Sequence, residues 1–429
     1  MAASVSRSLP SSAAVASAVC WSGCASASER VLEPHDGAAR GGDHVTAPTD
    51  VLRLVTEAHP LLAGNRENND RERRLSDETV SCLVGTGVMR ALVPARFGGG
   101  ECSLRTAIEA TCEVAKADPS AGWVVMILGS GAFLSGMFPP LGQEEVYADG
   151  PDTRVCTVLA PKSTARAVDG GWLLTGRWGP ASGCLHSQWA MIGFPGVDGE
   201  ASLALVPMAE LTVEDTWFTT GMRATGSNLL VGSDLFVPEH RVLRFSSAIR
   251  GRYPAGRPAE SRYRSALMST LATYMIAPYL GMACAALDHV VAGADSKGIA
   301  FTHYERQRDS TAFQLAVADA SMKIDLARLI AENSASVVDG HADAGTFPDD
   351  LTRARIRQHT GHAAQLCREA VDELVTAHGA AAFAETSPLQ ALVRDIHTAS
   401  RHAVANPASC AEVFGRALLG VEPNITDMI

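Results

Sequence analysis

The chain has 429 residues, 46% hydrophobic and 19% charged, enough to bury a large core and to divide into two or three domains. A formal net charge of −11 offers nothing to neutralise a run of phosphates, which excludes a nucleic-acid partner. Ten cysteines are scattered without CxxC or Cys/His spacing, so no metal is expected and reduced thiols in a cytoplasmic protein are the simplest account.

In chain order, residues 1–48 are rich in Ala, Ser and Gly and read as a disordered tail. Within it, "SAAVASAVCWSGCASA" lacks the basic start and solid apolar core of a secretory signal. No apolar run approaches the ~20 residues that a membrane span needs, so no membrane association is expected. Residues 49–150 read as a helical domain. In "LSDETVSCLVGTGVMRAL" a cap and acidic residues precede apolar positions at 80, 83, 84, 88 and 92. "GTGVMR" follows that helical pattern and lacks a third glycine, so Gly85 and Gly87 read as a helix exit and not as a dinucleotide loop. Ser103 is placed to cap "LRTAIEATCEVAKAD". "SAGWVVMILGSGAFLSGMF" is apolar all round, which predicts a buried helix.

From 151 to 246 the texture is short β-rich runs divided by Gly, Pro and Asp-Gly turns, without strand–helix alternation. From 247 to 429 helices return. Segments 265–294, 305–339, 349–378, 388–404 and 407–419 form a bundle pattern. Between them, "RGRYPAGRPAESRYR" (250–264) concentrates basic residues with Pro, Gly and Glu and reads as a solvated loop. The expected fold is α+β: helical domain, β-barrel or sandwich, then a four-helix bundle.

"GRWGPASGC" (176–184) breaks at Pro180 into Ser182 and Gly183, a turn that presents N–H groups and a hydroxyl suited to the polar edge of a flat heterocycle. Trp178 is placed to pack on such a ring, although an ordinary hairpin exit with a core tryptophan has the same pattern. "WFTTGMRATGSNLLVGSDLFVP" (217–238) by itself is a polar loop between strands.

The order of "VPARFGGGEC", "LLTGRWGPASG", "TTGMRATGS", "LFVPEHRVL" and "VRDIHTASRH" resembles the acyl-CoA dehydrogenase superfamily over about residues 50–422. Within it the chain looks most like the two-component, reduced-flavin-dependent monooxygenases. The features carrying that likeness are Trp178-x-x-x-Ser182-Gly183, the His-rich terminal segment and "SAGWVV". The resemblance implies reduced FMN or FAD and O2, used through a C4a-hydroperoxide on an organic, secondary-metabolite-like substrate (aromatic, polycyclic or amino-sugar), as in antibiotic biosynthesis. It further implies a separate NAD(P)H:flavin reductase, a small-molecule substrate that a carrier could present, and a homodimer or homotetramer.

Dehydrogenases of the superfamily place Tyr-Glu after Arg-Asp. Here the corresponding residues are His402 and Ala403, and alanine cannot accept the α-proton. An acyl-CoA dehydrogenase or oxidase would need a relocated base; a flavin-fold protein that binds without catalysis is the third reading. The resemblance makes His402 the catalytic imidazole, whose ordinary pKa of about 6.5 suits proton exchange. Continued as a helix, the segment separates His397 from His402 by roughly 140°, which leaves His397 structural or solvated. Ser182 is the expected partner of flavin N5, with Gly183, Thr225 and Ser227 near the cofactor, Gln314 at a subunit contact beside its tail, and Thr157 and Phe97 toward the substrate. Gly131 stands where several relatives carry histidine. It either opens room for a larger substrate or fills a helix contact.

Overall fold

The computed structural model describes residues 48–196, 199–253, 258 and 260–429. The expected N-terminal tail and the Pro/Gly-rich middle of the 250–264 segment lie outside the described residues. Helices α1 (Pro48–Glu72), α2 (Asp77–Thr86), α3 (Leu104–Ala117), α4 (Pro119–Ser135) and α5 (Pro140–Val146) come first. The caps fall where the sequence places them: Ser76 and Ser103 accept from Thr79 N and Thr106 N, and Gly87 ends α2 at φ 77°. Helix α4 is buried along almost its whole length. Its N-cap Asp118 accepts from Ala121 N and from Asn69 Nδ2 of α1, at 3.1 and 3.0 Å, which fixes where α4 begins.

The strands are β1 (Val155–Val158), β2 (Ser163–Val168), β3 (Gly171–Ala181), β4 (Trp189–Pro195), β5 (Ala201–Pro207), β6 (Thr212–Glu214), β7 (Asn228–Pro238) and β8 (Val242–Leu243). They form two four-stranded sheets, ordered β1-β4-β5-β8 and β2-β3-β7-β6, with β1 parallel to β4 and the other pairs antiparallel. Cys156, Ala190, Ile192, Phe194, Ala204 and Val206 of the first sheet share a core with Trp172, Leu174, Trp178, Leu230 and Val237 of the second. The alternate residues Val155, Met191, Leu203 and Leu205 pack instead into the helical core. A sheet covered on both faces must be apolar at consecutive positions, which is why "AMIGF" and "SLALV" show no polar alternation.

Helices α6 (Phe245–Ala248), α7 (Leu267–Tyr274), α8 (Ile276–Gly293), α9 (Thr311–Asp343), α10 (Asp350–His378), α11 (Pro388–Ala399) and α12 (Pro407–Leu419) complete the fold. Three sequence expectations need correction. Residues 267–293 are long and apolar enough to cross a membrane, but 67% of their most apolar window is buried in this protein, as in a core helix. The basic segment is not uniformly solvated: Tyr263 is fully buried, and buried Arg262 pairs with Asp339 of α9. Helix α11 stops at Ala399, short of 404. His402 opens a 3-10 turn as its N-cap, and Asn406 then caps α12 ahead of Pro407, so the helical-wheel separation of His397 and His402 does not apply.

Gly131 sits where α4 crosses the start of β1, and a Cβ there would lie 2.0 Å from the Val155 carbonyl oxygen. No substrate space opens at that point; the missing side chain is what lets helix and strand touch. Gly131→Ala should therefore lower stability by about 1–3 kcal/mol through overpacking. Gly64→Ala, whose Cβ meets nothing within 4 Å on α1, should be neutral or slightly stabilising. Urea unfolding of the two variants checks this, and equal midpoints would contradict the contact.

Candidate functional site

The site begins with the segment that the sequence shows only as a polar loop. Residues 217–226 leave β6, reverse through Met222 (φ 54°) and enter β7. The reversal is held by α11. Asp395 Oδ1 accepts from Met222 N at 2.6 Å, Arg394 donates to the Thr220 carbonyl at 2.5 Å, and a Cβ on Gly221 would meet the Arg394 carbonyl at 2.0 Å. Asp395 is buried, which pushes its pKa up to about 6 against the opposing hydrogen bond from Met222. The Arg-Asp pair thus pins a loop of the β domain to the bundle.

The pinned loop carries a row of hydroxyls. Thr225 Oγ1 donates to the Met222 carbonyl at 2.8 Å, lies 2.6 Å from Ser227 Oγ, and Ser227 lies 2.7 Å from Ser182 Oγ. Trp123 Nε1 of α4 donates to Ser182 at 3.2 Å. Because the Met222 carbonyl can only accept, Thr225 must give its proton there. Ser227 must then donate to Thr225, and Ser182 to Ser227. The order runs one way, and Ser182 keeps only lone-pair capacity for anything new. Gly183 sits at φ 74°, its N–H bound to the Thr225 carbonyl at 3.0 Å, so the turn after β3 is closed onto the same loop.

Against the same Trp123 stands His402, with ring centroids 5.9 Å apart; Tyr279 of α8 is 6.1 Å from this indole and donates to the Ala399 carbonyl at 3.2 Å. His402 Nδ1 accepts from Val404 N at 3.3 Å, which leaves the proton of the neutral ring on Nε2. Burial, reinforced by the Arg357 guanidinium, lowers its pKa to about 4, so the imidazole is neutral at pH 7.

Ser182, Gly183, Thr225, Ser227 and His402 therefore meet around Trp123, which in the sequence stands out only as part of a buried helix. Its position in an otherwise featureless apolar run was the available signal. Of the other five expected residues, Trp178 and Gly131 are taken up by packing and do not join them. Trp178 is fully buried in the sandwich and donates to the Gly193 carbonyl at 2.8 Å, so no face is left for a ring. Gln314 is exposed on α9, its amide bound to the Arg308 carbonyl at 2.8 Å. Gly131 is filled as described. Phe97 packs on Tyr147 with centroids 5.0 Å apart under the Arg96 guanidinium. Thr157, half-buried, lies on β1 opposite Met191. His397 binds Asp372 Oδ1 at 2.8 Å near the surface. Among the described residues no group of His, Cys, Asp and Glu is arranged to hold a metal ion.

The donor set suits a reduced flavin ring. A lone pair on Ser182, the closed Gly183 turn and the apolar walls of Trp123 and α4 match a flat heterocycle whose edge carries an N–H. These residues, with Ser227, would hold it.

Comparison with known proteins identifies the group. Residues 273–407 match the family described as acyl-CoA dehydrogenase, C-terminal domain. The flavin-dependent monooxygenase, oxygenase subunit HsaA of Mycobacterium tuberculosis (strain ATCC 25618 / H37Rv) is 32% identical over 383 residues, 88% of this chain and 97% of that protein. The p-hydroxyphenylacetate 3-hydroxylase, oxygenase component of Acinetobacter baumannii is 28% identical over 386 residues, covering 88% and 90%. XiaF from Streptomyces sp., solved in complex with FADH2 and glycerol, superposes with a TM-score of 0.83 at 34% identity, covering 88% of this chain and 97% of that one. The dehydrogenase and non-catalytic readings give way to this concordance over nearly the whole described length. The chain belongs to the flavin-dependent monooxygenase oxygenase subunits, oxidoreductases that use reduced flavin to incorporate oxygen and are built on the acyl-CoA dehydrogenase fold.

Proposed function

We propose that this oxygenase hydroxylates an aromatic small molecule beside Trp123 and His402, using flavin reduced by a separate NAD(P)H-dependent reductase. The observation that carries the reading is the one-way hydroxyl row ending at Ser182 against Trp123, with a neutral imidazole against the same indole. Names such as "oxygenase component" and "oxygenase subunit" among the relatives support a separate reductase, and the p-hydroxyphenylacetate and resorcinol hydroxylases among them support an aromatic substrate. Bound reduced flavin supplies the electrons that let one atom of O2 enter the substrate while the other leaves as water. The protein's part is positional. Ser182 accepts from the ring edge, and the buried walls exclude water, which would otherwise divert the reaction toward H2O2. His402 holds its proton on Nε2 and presents it to the substrate oxygen. Since Nδ1 is occupied and Arg357 opposes a positive ring, His402 works here as a hydrogen-bond donor in its resting state and not as a free base.

The same reading takes the chain to be cytoplasmic and self-associating. The eight cysteines among the described residues are all free, in keeping with a reducing compartment. Exposed Leu315, Met322, Leu326 and Leu329 form a stripe at heptad-like spacing along α9, a face suited to a second copy of the chain.

His402→Ala should retain flavin binding but lower product formed per flavin oxidised by about tenfold or more, with H2O2 rising in proportion. Unchanged coupling would remove His402 from the chemistry. Nitrogen NMR should find the His402 ring neutral with its proton on Nε2 until the pH falls toward about 4. Because the folded value lies below the unfolded one, stability from this group is present above about pH 6.5 and is lost as the pH falls through the folded value. Light scattering should give a dimer or tetramer, and the paired substitutions Met322→Glu and Leu329→Glu should shift it toward monomer.

A further inference from the structure

Helix α11 ends sooner than its own sequence requires. After Ala399 the chain reads Ser-Arg-His-Ala-Val-Ala, with no glycine or proline before Pro407. By local preference these residues would carry the helix to the approach of that proline. In the structure the helix stops at Ala399, and the next residues turn so that His402 meets Trp123. Within the turn, Ala405 N binds the His402 carbonyl at 2.9 Å and Val404 N reaches His402 Nδ1 at 3.3 Å. The Ser400 hydroxyl, on a residue 1% exposed, is buried without a partner. These bonds shape the turn but do not block the helical alternative.

The block lies at the Ala399 carbonyl. In a continued helix this oxygen would accept from Ala403 N, four residues on. Here it accepts from His402 N at 3.1 Å and from the Tyr279 hydroxyl at 3.2 Å. A carbonyl oxygen has two lone pairs, so these two bonds leave no place for Ala403 N. Tyr279 comes from a different helix, α8, and is fully buried; burial pushes its pKa up, which keeps the hydroxyl a donor. Its ring lies against the same indole as His402, with centroids 6.1 and 5.9 Å from it. Tyr279 thus touches both the carbonyl where α11 stops and the tryptophan that His402 reaches.

We propose that the Tyr279 hydroxyl is the stop for α11, and that Tyr279 is thereby the positioning residue of His402. This rests on the reading of His402 as the imidazole of the site and adds how the fold delivers it. Without that hydroxyl, Ala403 N takes the vacated lone pair and residues 400–403 join the helix. His402, now extended at φ −57° and ψ 135°, then goes to a helical ψ of about −42° and gives up both its cap and its place against Trp123. Since its hydroxyl is spent on Ala399, Tyr279 acts through His402 and not on the substrate.

Tyr279→Phe is the test, because it removes the hydroxyl and keeps the ring. The readout is NMR of the full chain labelled at histidine with carbon-13 and nitrogen-15, His402 being assigned by its absence in His402→Ala. In Tyr279→Phe the His402 Cα signal should move to the helical range, and its two ring nitrogens, distinct while one tautomer is fixed, should converge. Product formed per flavin oxidised should fall about threefold to tenfold, with no further fall when Tyr279→Phe is added to His402→Ala. Ala403→Pro supplies the rescue. It removes the competing N–H at an exposed first position of the 3-10 turn, and it favours the extended His402 already present. Tyr279→Phe combined with Ala403→Pro should regain the wild-type His402 signals. Unmoved His402 signals in Tyr279→Phe, even with a lower urea midpoint, overturn the proposal, as does a failed rescue or an equal loss of coupling in the His402→Ala background. Moved signals together with full coupling in His402→Ala would count against the catalytic reading of His402 alone and leave the stop in place.

Discussion

The buried hydrogen bond from Met222 N to the Asp395 carboxylate, beside the Arg394 bond to the Thr220 carbonyl, joins the β sandwich to the helical bundle at the site. Everything that the hydroxyl row does follows from it. Met222 provides the carbonyl that takes the Thr225 proton, and the direction of each later hydrogen bond is inherited from that first commitment. The carboxylate bears the cost of burial because it sits where the β sandwich and the bundle must agree to within the length of a hydrogen bond. An apolar contact would glue them without fixing their register.

The second determinant is α4. It touches the first sheet, the bundle and the pinned loop together, and it is apolar because almost none of it faces water. Trp123 gives this helix its only donor toward the turn after β3, so the indole is at once a wall, a hydrogen-bond anchor for Ser182 and a neighbour of His402. The geometry of the candidate site is therefore a by-product of how three layers close on one buried helix, and His402 comes to it from a turn whose shape its own ring helps to make.

Much of the architecture was legible because its signals are local. Caps at Ser76 and Ser103, the exit at Gly87 and the all-round apolar α4 depend on a few adjacent residues. The order of motifs then carried the family and the Ser182 and His402 positions. What escaped was long-range. Nothing near Trp178 in the chain says that Gly193 takes its N–H, and nothing near Trp123 says that it meets Ser182, 59 positions away. Gly131 was ambiguous for the same reason, since only the path of β1 decides whether a missing side chain leaves a hole or a contact. The end of α11 was overrun because an imidazole acting as a cap is a weak local signal beside a favourable helical pattern.

The polarity of the Ser182 hydroxyl has one more consequence on the proposed placement of the ring. A flavin whose ring edge carries no hydrogen would meet Ser182 lone pair to lone pair, so the hydroxyl row would favour the reduced cofactor over the oxidised one.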